Sequence, residues 1–288
     1  MTIEAGERGR LLPSAISRRG LIACGLPALW PQWVGAAGPA DTVYAEELTW
    51  TEFRDRVAAG SATILVPMGG TEQNGPHMVL GKHNTRVRVL AGMIARALGN
   101  ALVAPVVAYV PEGSIDPPVA HMRYPGTVSI TDSAFESVLE STARSYKQHG
   151  ARDVVFLGDH GGYQRQMQRV ADKLNREWSA PAGSPRCRVH ALVEYYQASA
   201  RGHADLLAAR GISADEIGTH AGLADTSLTL AVDPTLVRSE ALDKAGRPGS
   251  HDGVSGTPRR ATAALGQIGV DHIVAASVAA VRARLARR

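Results

Sequence analysis

The sequence predicts an α/β protein of three layers, in which helices cover both faces of a mostly parallel central sheet. Short apolar runs that read as buried strands alternate with longer segments of helical periodicity through most of the 288 residues. Glycine-rich polar loops follow the first three apolar runs, where the ligands of parallel sheets usually lie. Hydrophobic residues make up 44% of the chain and charged residues 20%, which excludes a disordered protein.

The first half of the chain contains the clearest elements. Residues 48–59 have helical spacing, and residues 62–68 (ATILVPM) form an apolar run expected to be a strand buried on both faces. After a glycine-rich loop, residues 86–99 are predicted to form an amphipathic helix that Gly99 ends. Residues 101–110 (ALVAPVVAYV) are predicted to be the second strand.

The second half continues the alternation after a long loop at residues 111–130, which is rich in proline and glycine. Loops of this length inside a compact domain are usually functional. Thr131 is a suitable cap for the helix that follows. The remaining predicted elements are a helix at 132–150, a buried strand that runs into a glycine-rich turn within 153–162, a helix at 164–178, a strand at 188–196, and a cap, a helix and a long C-terminal helix within 257–288.

The first forty residues differ from the rest and are predicted to be a twin-arginine export signal. Arg18 and Arg19 precede an apolar stretch and then small residues. Pro27 and Pro31 interrupt that stretch, so a retained membrane span is not expected. The alternative is a frayed basic N-terminus. With a signal at 1–40, residues 41–288 form a single catalytic domain, and the mature protein is expected in the periplasm.

The charge balance does not favour a nucleic-acid partner. Without the first forty residues, the chain has 27 basic and 25 acidic residues, and no basic stripe is interleaved with aromatic residues. The sequence contains no G-x-G-x-x-G after a strand, no phosphate-binding loop and no G-x-S-x-G turn. Nucleotide-dependent enzymes and serine hydrolases are therefore disfavoured.

Carboxylates and imidazoles concentrate in the loops after the predicted strands and in the segment 216–228. Groups of this kind that converge in a polar pocket suit Zn²⁺, Mn²⁺ or Fe²⁺. Any single loop histidine is more often a hydrogen-bonded or surface residue than a ligand, but the neighbouring glycines let the backbone approach a ligand closely. The candidate groups are Glu72, His77, His83, His121, Asp159, His160, His220 and Asp225.

Four segments resemble the motifs of the creatininase family, and they occur in that family's order. GGTEQNGPHMVLGKHN (69–84) is similar to G-x-x-E-Q-H-G-P-H-L-P-L-x-T-D, and HMRYPGTVSI (121–130) to E-H-x-x-F-P-G-T-I-S-L without its first glutamate. GDHGGYQ (158–164) is similar to N-G-H-G-G-N, and THAGLADTSL (219–228) to H-A-G-E-x-E-T-S-L. The resemblance implies a three-layer α/β subunit, often hexameric, with a metal centre that is usually binuclear and hydrolyses C–N bonds.

Carried over position by position, the resemblance implies roles for five residues. Glu72 and His160 match metal ligands, and Asp225 matches a glutamate that is a ligand in many members. His220 matches a histidine that is proposed to shuttle protons, and His121 matches one that lines the site. We therefore expect His220 and His121 to be the catalytic side chains.

Two positions depart from the family pattern. Asn74 stands where the family has a ligand histidine, and His83 stands where it has a ligand aspartate. Three outcomes stay open: a second metal held by His83 with His77 or Asp159, a single metal on Glu72, His160 and Asp225, or a lost centre. The retained carboxylate and histidine positions favour one or two metals. The predicted ligand set is Glu72, His83, His160 and Asp225.

The function predicted from these residues is metal-dependent hydrolysis of an amide, lactam or formamide bond in a small molecule or peptide. A metal-bound water attacks the carbonyl, and His220 passes a proton to the leaving nitrogen. The alternative is a periplasmic binding protein that kept the fold without the chemistry, for which Asn74 is the main argument. The residues expected to contact substrate are Asn74, His77, Asp116 and Arg123.

Overall fold

The computed structural model describes residues 41–179, 187–247 and 250–286. Its sheet has four parallel strands in the order β2-β1-β3-β4. The strands are β1 (Thr63–Met68), β2 (Ala101–Val103), β3 (Asp153–Gly158) and β4 (Arg188–Ala191). β1 and β3 pair along their full length, from Thr63 opposite Asp153 to Met68 opposite Gly158. All four strands therefore end at one edge of the sheet.

Side chains of the central strands alternate between two buried faces, as the near-continuous apolar runs predict. Ile64, Val66 and Met68 pack with helices on one face, and Leu65 packs with helices on the other. The first helical layer consists of α3 (Asp132–Gln148) and α4 (Gln164–Glu177), beside α1 (Trp50–Ala58). The second layer contains α2 (Lys82–Leu98), α5 (Val193–Gln197), α8 (Leu223–Val232) and α10 (Ala263–Leu285). The architecture is the predicted three-layer α/β/α sandwich.

Short helices complete the fold between α5 and α10. They are α6 (His203–Ala208), α7 (Ala214–Ile217) and α9 (Ser239–Leu242). The segment Ala198–Gly202 is a π-helical turn that joins α5 to α6. This region carries His220, which lies just before α8.

Helix α10 is long and apolar enough to cross a membrane, judged by length and composition alone. Val270, Ile273 and Val281 are nevertheless buried in the second core, where the helix packs against α8 and α2. These contacts are typical of a core helix, and a core helix can be as long and as apolar as a membrane-spanning one.

The structure corrects several predicted boundaries. β2 ends at Val103 rather than at residue 110, since Pro105 lacks the N–H that a continuing ladder would use. β4 ends at Ala191, and the residues after Leu192 turn into α5, because tertiary packing overrides their strand propensity. α2 begins at Lys82, four residues earlier than predicted.

The segment at 257–288 contains one long helix, α10, after a short 3₁₀ turn. The structure thus places one helix where two were predicted. The predicted export signal at 1–40 lies outside the described residues.

Candidate metal centre

Four segments bring ionisable side chains to the carboxyl edge of the sheet. Glu72 follows β1, Glu112 and His121 lie in the long segment after β2, and His160 follows β3. His220 enters from the loop before α8. Because parallel strands end together, residues far apart in sequence meet at this edge.

The backbone of Gly70 fits closely around the carboxylate of Glu112. Gly70 has a φ of 154°, and a Cβ at this position would collide with Glu112 Oε1. The Glu112 backbone N–H donates to Ser129 Oγ (3.0 Å), which itself donates to the Gly113 carbonyl (2.7 Å). These contacts hold the Glu112 carboxylate inside the site rather than in the loop's solvent-facing part.

Tyr163 fixes the start of the loop that carries His160. Its buried hydroxyl lies 2.8 Å from the carbonyl oxygen of Met68 and 2.7 Å from that of Gly69. The backbone N–H of His160 donates to the same hydroxyl (3.1 Å). The ends of β1 and β3 are thereby tied together directly beneath the site.

Glu72, Glu112, His121 and His160 form a group whose ligand-capable atoms all lie within 4.8 Å of one another. Glu72 Oε2 is 3.1 Å from His121 Nε2 and 3.5 Å from His160 Nε2. Neither contact has hydrogen-bond geometry, and among the described residues neither this oxygen nor the Glu112 carboxylate has a hydrogen-bond partner. Buried carboxylates without donors are costly. Atoms that crowd together without bonding to each other fit a shared cation, and the donor set suits a divalent metal.

The charges of this group depend on its burial. For Glu72, burial acts to raise the pKa, but the hydrogen bond from His83 and nearby positive charges hold the pKa well below its ordinary value. Burial raises the pKa of Glu112 to about 9, and the negative charge of Glu72 adds to the rise. Burial lowers the pKa of His160 to about 3, which keeps its imidazole neutral and able to bind a metal.

A second pair of carboxylates, the buried Asp159 and the partly exposed Asp225, lies on the α2 side of the site. Asp225 Oδ1 accepts from Arg86 Nη1 (2.6 Å), while its Oδ2 accepts from Lys82 Nζ and from the Ala221 N–H (2.9 Å). For Asp225, burial would raise the pKa, but the charges of Lys82 and Arg86 hold it well below its usual range. This carboxylate is ionised and already paired.

Asp159 is equally well satisfied. Its Oδ2 accepts from Arg86 Nε (2.8 Å) and lies 2.5 Å from His83 Nδ1, and its Oδ1 accepts from the Tyr195 hydroxyl (2.7 Å). The other ring nitrogen of His83, Nε2, is 2.8 Å from Glu72 Oε1. His83 therefore links the two carboxylate pairs.

His220 lies beside His121 on the cavity wall, with the ring centroids 4.6 Å apart. Its Nε2 is 3.0 Å from the Gln73 carbonyl oxygen, and its Nδ1 is 3.9 Å from Glu72 Oε1. Gln73 Nε2 lies 3.1 Å from a ring nitrogen of each of the two histidines. Burial lowers the pKa of His220 to about 4. The ring is neutral at pH 7.

Two cavities meet at the four-residue group, and both are lined by His121 and His160. One, of about 420 Å³, extends along Lys82, Arg86 and His220. The other, of about 710 Å³, is formed largely by the loop after β2 and includes Asp116. The group is accessible from both sides.

The structure brings together some of the predicted site residues and leaves others apart. Glu72, His121 and His160 join the four-residue group, whereas His83 and Asp225 lie in the paired network beside it. Asp225, a predicted metal ligand, has its two oxygens in ion pairs with Lys82 and Arg86.

The four residues expected to contact substrate lie in different surroundings. Asn74 is fully buried and donates to the carbonyls of Glu72 (2.9 Å) and Val79 (3.1 Å). His77 is fully buried against Thr226 Oγ1 (2.9 Å). Neither residue lines one of the two cavities, because both hold the loop before α2 in place.

The other two residues expected to contact substrate lie in the long loop after β2. Asp116 lines the larger cavity, whereas Arg123 is exposed and lines neither of the two cavities.

Sequence reasoning missed Glu112, Lys82 and Arg86. Glu112 lies in the long loop at 111–130, and only its position directly after an apolar run could have marked it. Lys82 and Arg86 are four residues apart, the spacing that puts two side chains on one helix face, but the predicted helix begins only at Arg86.

An α/β/α sandwich with a carboxylate–histidine group at the carboxyl edge of its sheet is typical of metal-dependent hydrolases. Comparison with protein families matches residues 46–281 to the creatininase family, described as creatinine amidohydrolase. The chain belongs to the creatininase family of hydrolases.

Two curated relatives are similar over most of their length. The mycofactocin precursor peptide peptidase of Mycolicibacterium smegmatis is 31% identical over 214 residues, covering 71% of this chain and 78% of the relative. The creatinine amidohydrolase of Pseudomonas putida is 30% identical over 198 residues, covering 68% of this chain and 74% of the relative.

Solved creatininases share the fold. A creatininase variant of Zn-Zn type has a TM-score of 0.67 at 25% identity, covering 85% of this chain and 99% of its own. A structure described as creatininase Mn has a TM-score of 0.68 at 24% identity, covering 84% and 98%. Creatininases thus exist in zinc and manganese forms.

Proposed function

We propose that this protein hydrolyses an amide C–N bond in a small molecule or peptide, using a divalent metal held by Glu72, Glu112, His121 and His160. The observation that carries the proposal is the set of buried carboxylate oxygens of Glu72 and Glu112, which among the described residues lack hydrogen-bond partners beside two histidines. A cation would satisfy all of them at once.

Two carboxylates and two imidazoles suit zinc, manganese or iron. When bound, such a metal supplies a water of lowered pKa and polarises the amide carbonyl. The zinc and manganese forms of the similar creatininases support the first two choices.

His220 is placed to move the proton that hydrolysis transfers to the leaving nitrogen. Its Nε2 contacts Gln73, whereas its Nδ1 lies 3.9 Å from Glu72 Oε1, so Nδ1 is the ring nitrogen that faces the proposed metal group. Because burial lowers the pKa of His220 to about 4, the resting ring is neutral. His220 must therefore accept a proton at Nδ1 before it donates one, which makes it a shuttle rather than a resting acid.

The two cavities favour a linear amide with substituents on both sides of the scissile bond. The metal group lies at their junction, so each substituent has a cavity of its own. A peptide bond meets this requirement. Asp116, on the wall of the larger cavity, is placed to contact one substituent.

The alternative of a non-catalytic binding protein rests on Asn74. In the structure, the Asn74 amide donates to carbonyls of its own loop, so the substitution has a structural use that does not require a lost centre. Export through the signal containing Arg18 and Arg19, and assembly into a hexamer, remain part of the proposal as expectations from sequence.

Metal removal and a substrate panel test the function. The full chain is treated with a chelator, then reloaded with zinc or manganese, and assayed on short peptides, N-acyl amides, lactams and formamides. We expect turnover of linear amides that chelation abolishes and reloading restores. Hydrolysis that persists in chelated protein, or no metal uptake at all, would contradict the proposal.

His220→Ala separates proton transfer from metal binding. We expect kcat to fall by about 10²–10⁴-fold, with metal content unchanged. The control is His149→Ala, which alters an exposed histidine at the end of α3. Undiminished turnover would remove His220 from the mechanism.

A further inference from the structure

Lys82 is an unusual residue to find inside this site. It lies in the first turn of α2, yet its side chain is only 1% exposed. Lysines are almost never fully buried unless they are paired, and a cation at a helix N-terminus opposes the helix dipole. Its position is unfavourable for the helix and therefore requires a partner in the site.

That partner is Asp225, which Lys82 shares with Arg86. The two cations occupy both oxygens of Asp225, with the Ala221 N–H as a third donor. Arg86 also donates to Asp159, whose remaining contacts come from His83 and Tyr195. Every oxygen of the two carboxylates thus already accepts a hydrogen bond or takes part in an ion pair.

The charged side chains of the site fall into two groups, one around the aspartates and one around the glutamates. Asp159 and Asp225 together carry two negative charges, and Lys82 and Arg86 carry two positive charges. Glu72 and Glu112 carry two more negative charges once Glu112 has lost its proton. Lys82 and Arg86 pair with the two aspartates rather than with Glu72 or Glu112, so a single divalent cation would balance the two glutamates.

Lys82 also acts on the metal group itself. It lines the same cavity as His121 and His160. The ammonium therefore lies close enough to repel a cation bound by the four-residue group.

We propose that the centre holds one metal per chain, and that the Lys82 ammonium, fixed on Asp225 beside Arg86, occupies the place of a second cation. The inference rests on the proposed function, because it assumes that the four-residue group binds a metal. It adds that Lys82 is a positioning residue that sets the metal number and the affinity for that metal.

The first measurement is the metal number of the wild-type chain. Chelated protein is titrated with zinc chloride and with manganese chloride by calorimetry, and the loaded protein is analysed by elemental mass spectrometry. One metal per chain is expected. Two metals would overturn the inference while leaving the proposed function intact, and none would overturn both.

The second measurement uses Lys82→Met, which removes the charge and keeps much of the side-chain length. Loss of a neighbouring positive charge should tighten binding of the single metal by about fivefold or more, since like charges repel strongly at a buried site. The chelated variant should also melt at least about 5 °C lower, because Asp225 loses one of its two partner cations.

Two further variants keep this test decisive. Lys173→Met removes a lysine whose partner is Glu140 at the surface, and neither metal affinity nor melting temperature should change. If Lys82→Met does not fold, Lys82→Gln replaces it. Unchanged metal affinity in a folded Lys82 variant would overturn the inference, because a purely structural lysine would not weaken metal binding.

Discussion

The two carboxylate pairs of the site lie at the same edge of the sheet, but they differ in their partners. Asp159 and Asp225 are surrounded by donors from Lys82, His83, Arg86 and Tyr195. Glu112, by contrast, has no hydrogen-bond donor among the described residues, and Glu72 keeps one oxygen without a partner. The charges of the first pair are matched by Lys82 and Arg86, whereas the second pair lacks such cations and is the one proposed to bind the metal.

The difference teaches that burial alone does not identify a metal ligand. Glu72 and Asp225 are both predicted from the sequence to be metal ligands, yet Asp225 lies in the pair that is matched by the protein's own cations. A buried carboxylate that is already matched by fixed cations needs no metal to compensate its charge. One without such partners is either neutral or bound to a metal.

The largest effect is expected from Glu72→Ala, which alters the Glu72–Glu112 pair. The change removes a ligand and the partner of His83, and we expect loss of bound metal and at least about a 10³-fold fall in kcat/KM. Metal content and turnover of the linear amide found in the panel are measured together. Glu136→Ala, which removes a surface partner of Arg169, is the control and should leave both unchanged. Full metal content in Glu72→Ala would show that the Glu72–Glu112 pair is not the metal site.

The next largest effect is expected on the stability of the protein, through the Asp159–Asp225 pair. Arg86→Met leaves Asp159 and Asp225 buried with one fewer cation, and we expect the free energy of unfolding to fall by about 3–5 kcal/mol. Urea denaturation of chelated protein measures it. Arg144→Met removes a surface arginine paired with Glu140 and Glu177 and should cost at most about 1 kcal/mol. Equal effects of the two variants would contradict the distinction between the pairs.

The smallest effect concerns the proton on Glu112. Because the pKa of Glu112 is about 9 without metal, binding near pH 7 must displace a proton. Calorimetry in buffers of different ionisation enthalpy should show about one more proton released by wild type than by Glu112→Gln. The variant should bind metal about 10–100-fold more weakly, as expected for a lost ligand interaction.

The same pKa predicts how the stability of chelated protein depends on pH. A carboxyl with a raised folded-state pKa stabilises the fold below its unfolded value of 4.5, and this contribution is lost as the pH rises toward 9. Chelated wild type should therefore lose stability relative to Glu112→Gln over this range. Parallel stability curves for the two proteins would show that Glu112 is ionised without metal.

Much of the fold could be predicted from the chain because its signals are local. The apolar run at β1 and the capped helix after Thr131 are set by side-chain periodicity and by hydrogen bonds within a few residues. The ends of β2 and β4 were placed too late, since apolar residues favour a strand in sequence while packing against neighbouring helices decides where it stops.

The sequence by itself determined the three-layer class, the edge of the sheet where the site lies, and Glu72, His121 and His160 as candidate groups within it. Only the tertiary structure decided which carboxylates are paired. Lys82 and Arg86 reach Asp225 from more than a hundred residues away, and Gly70 and Ser129 orient Glu112 from different segments. Charge pairing acts over a few ångströms in space, so its partners cannot be read from a sequence in which they are far apart.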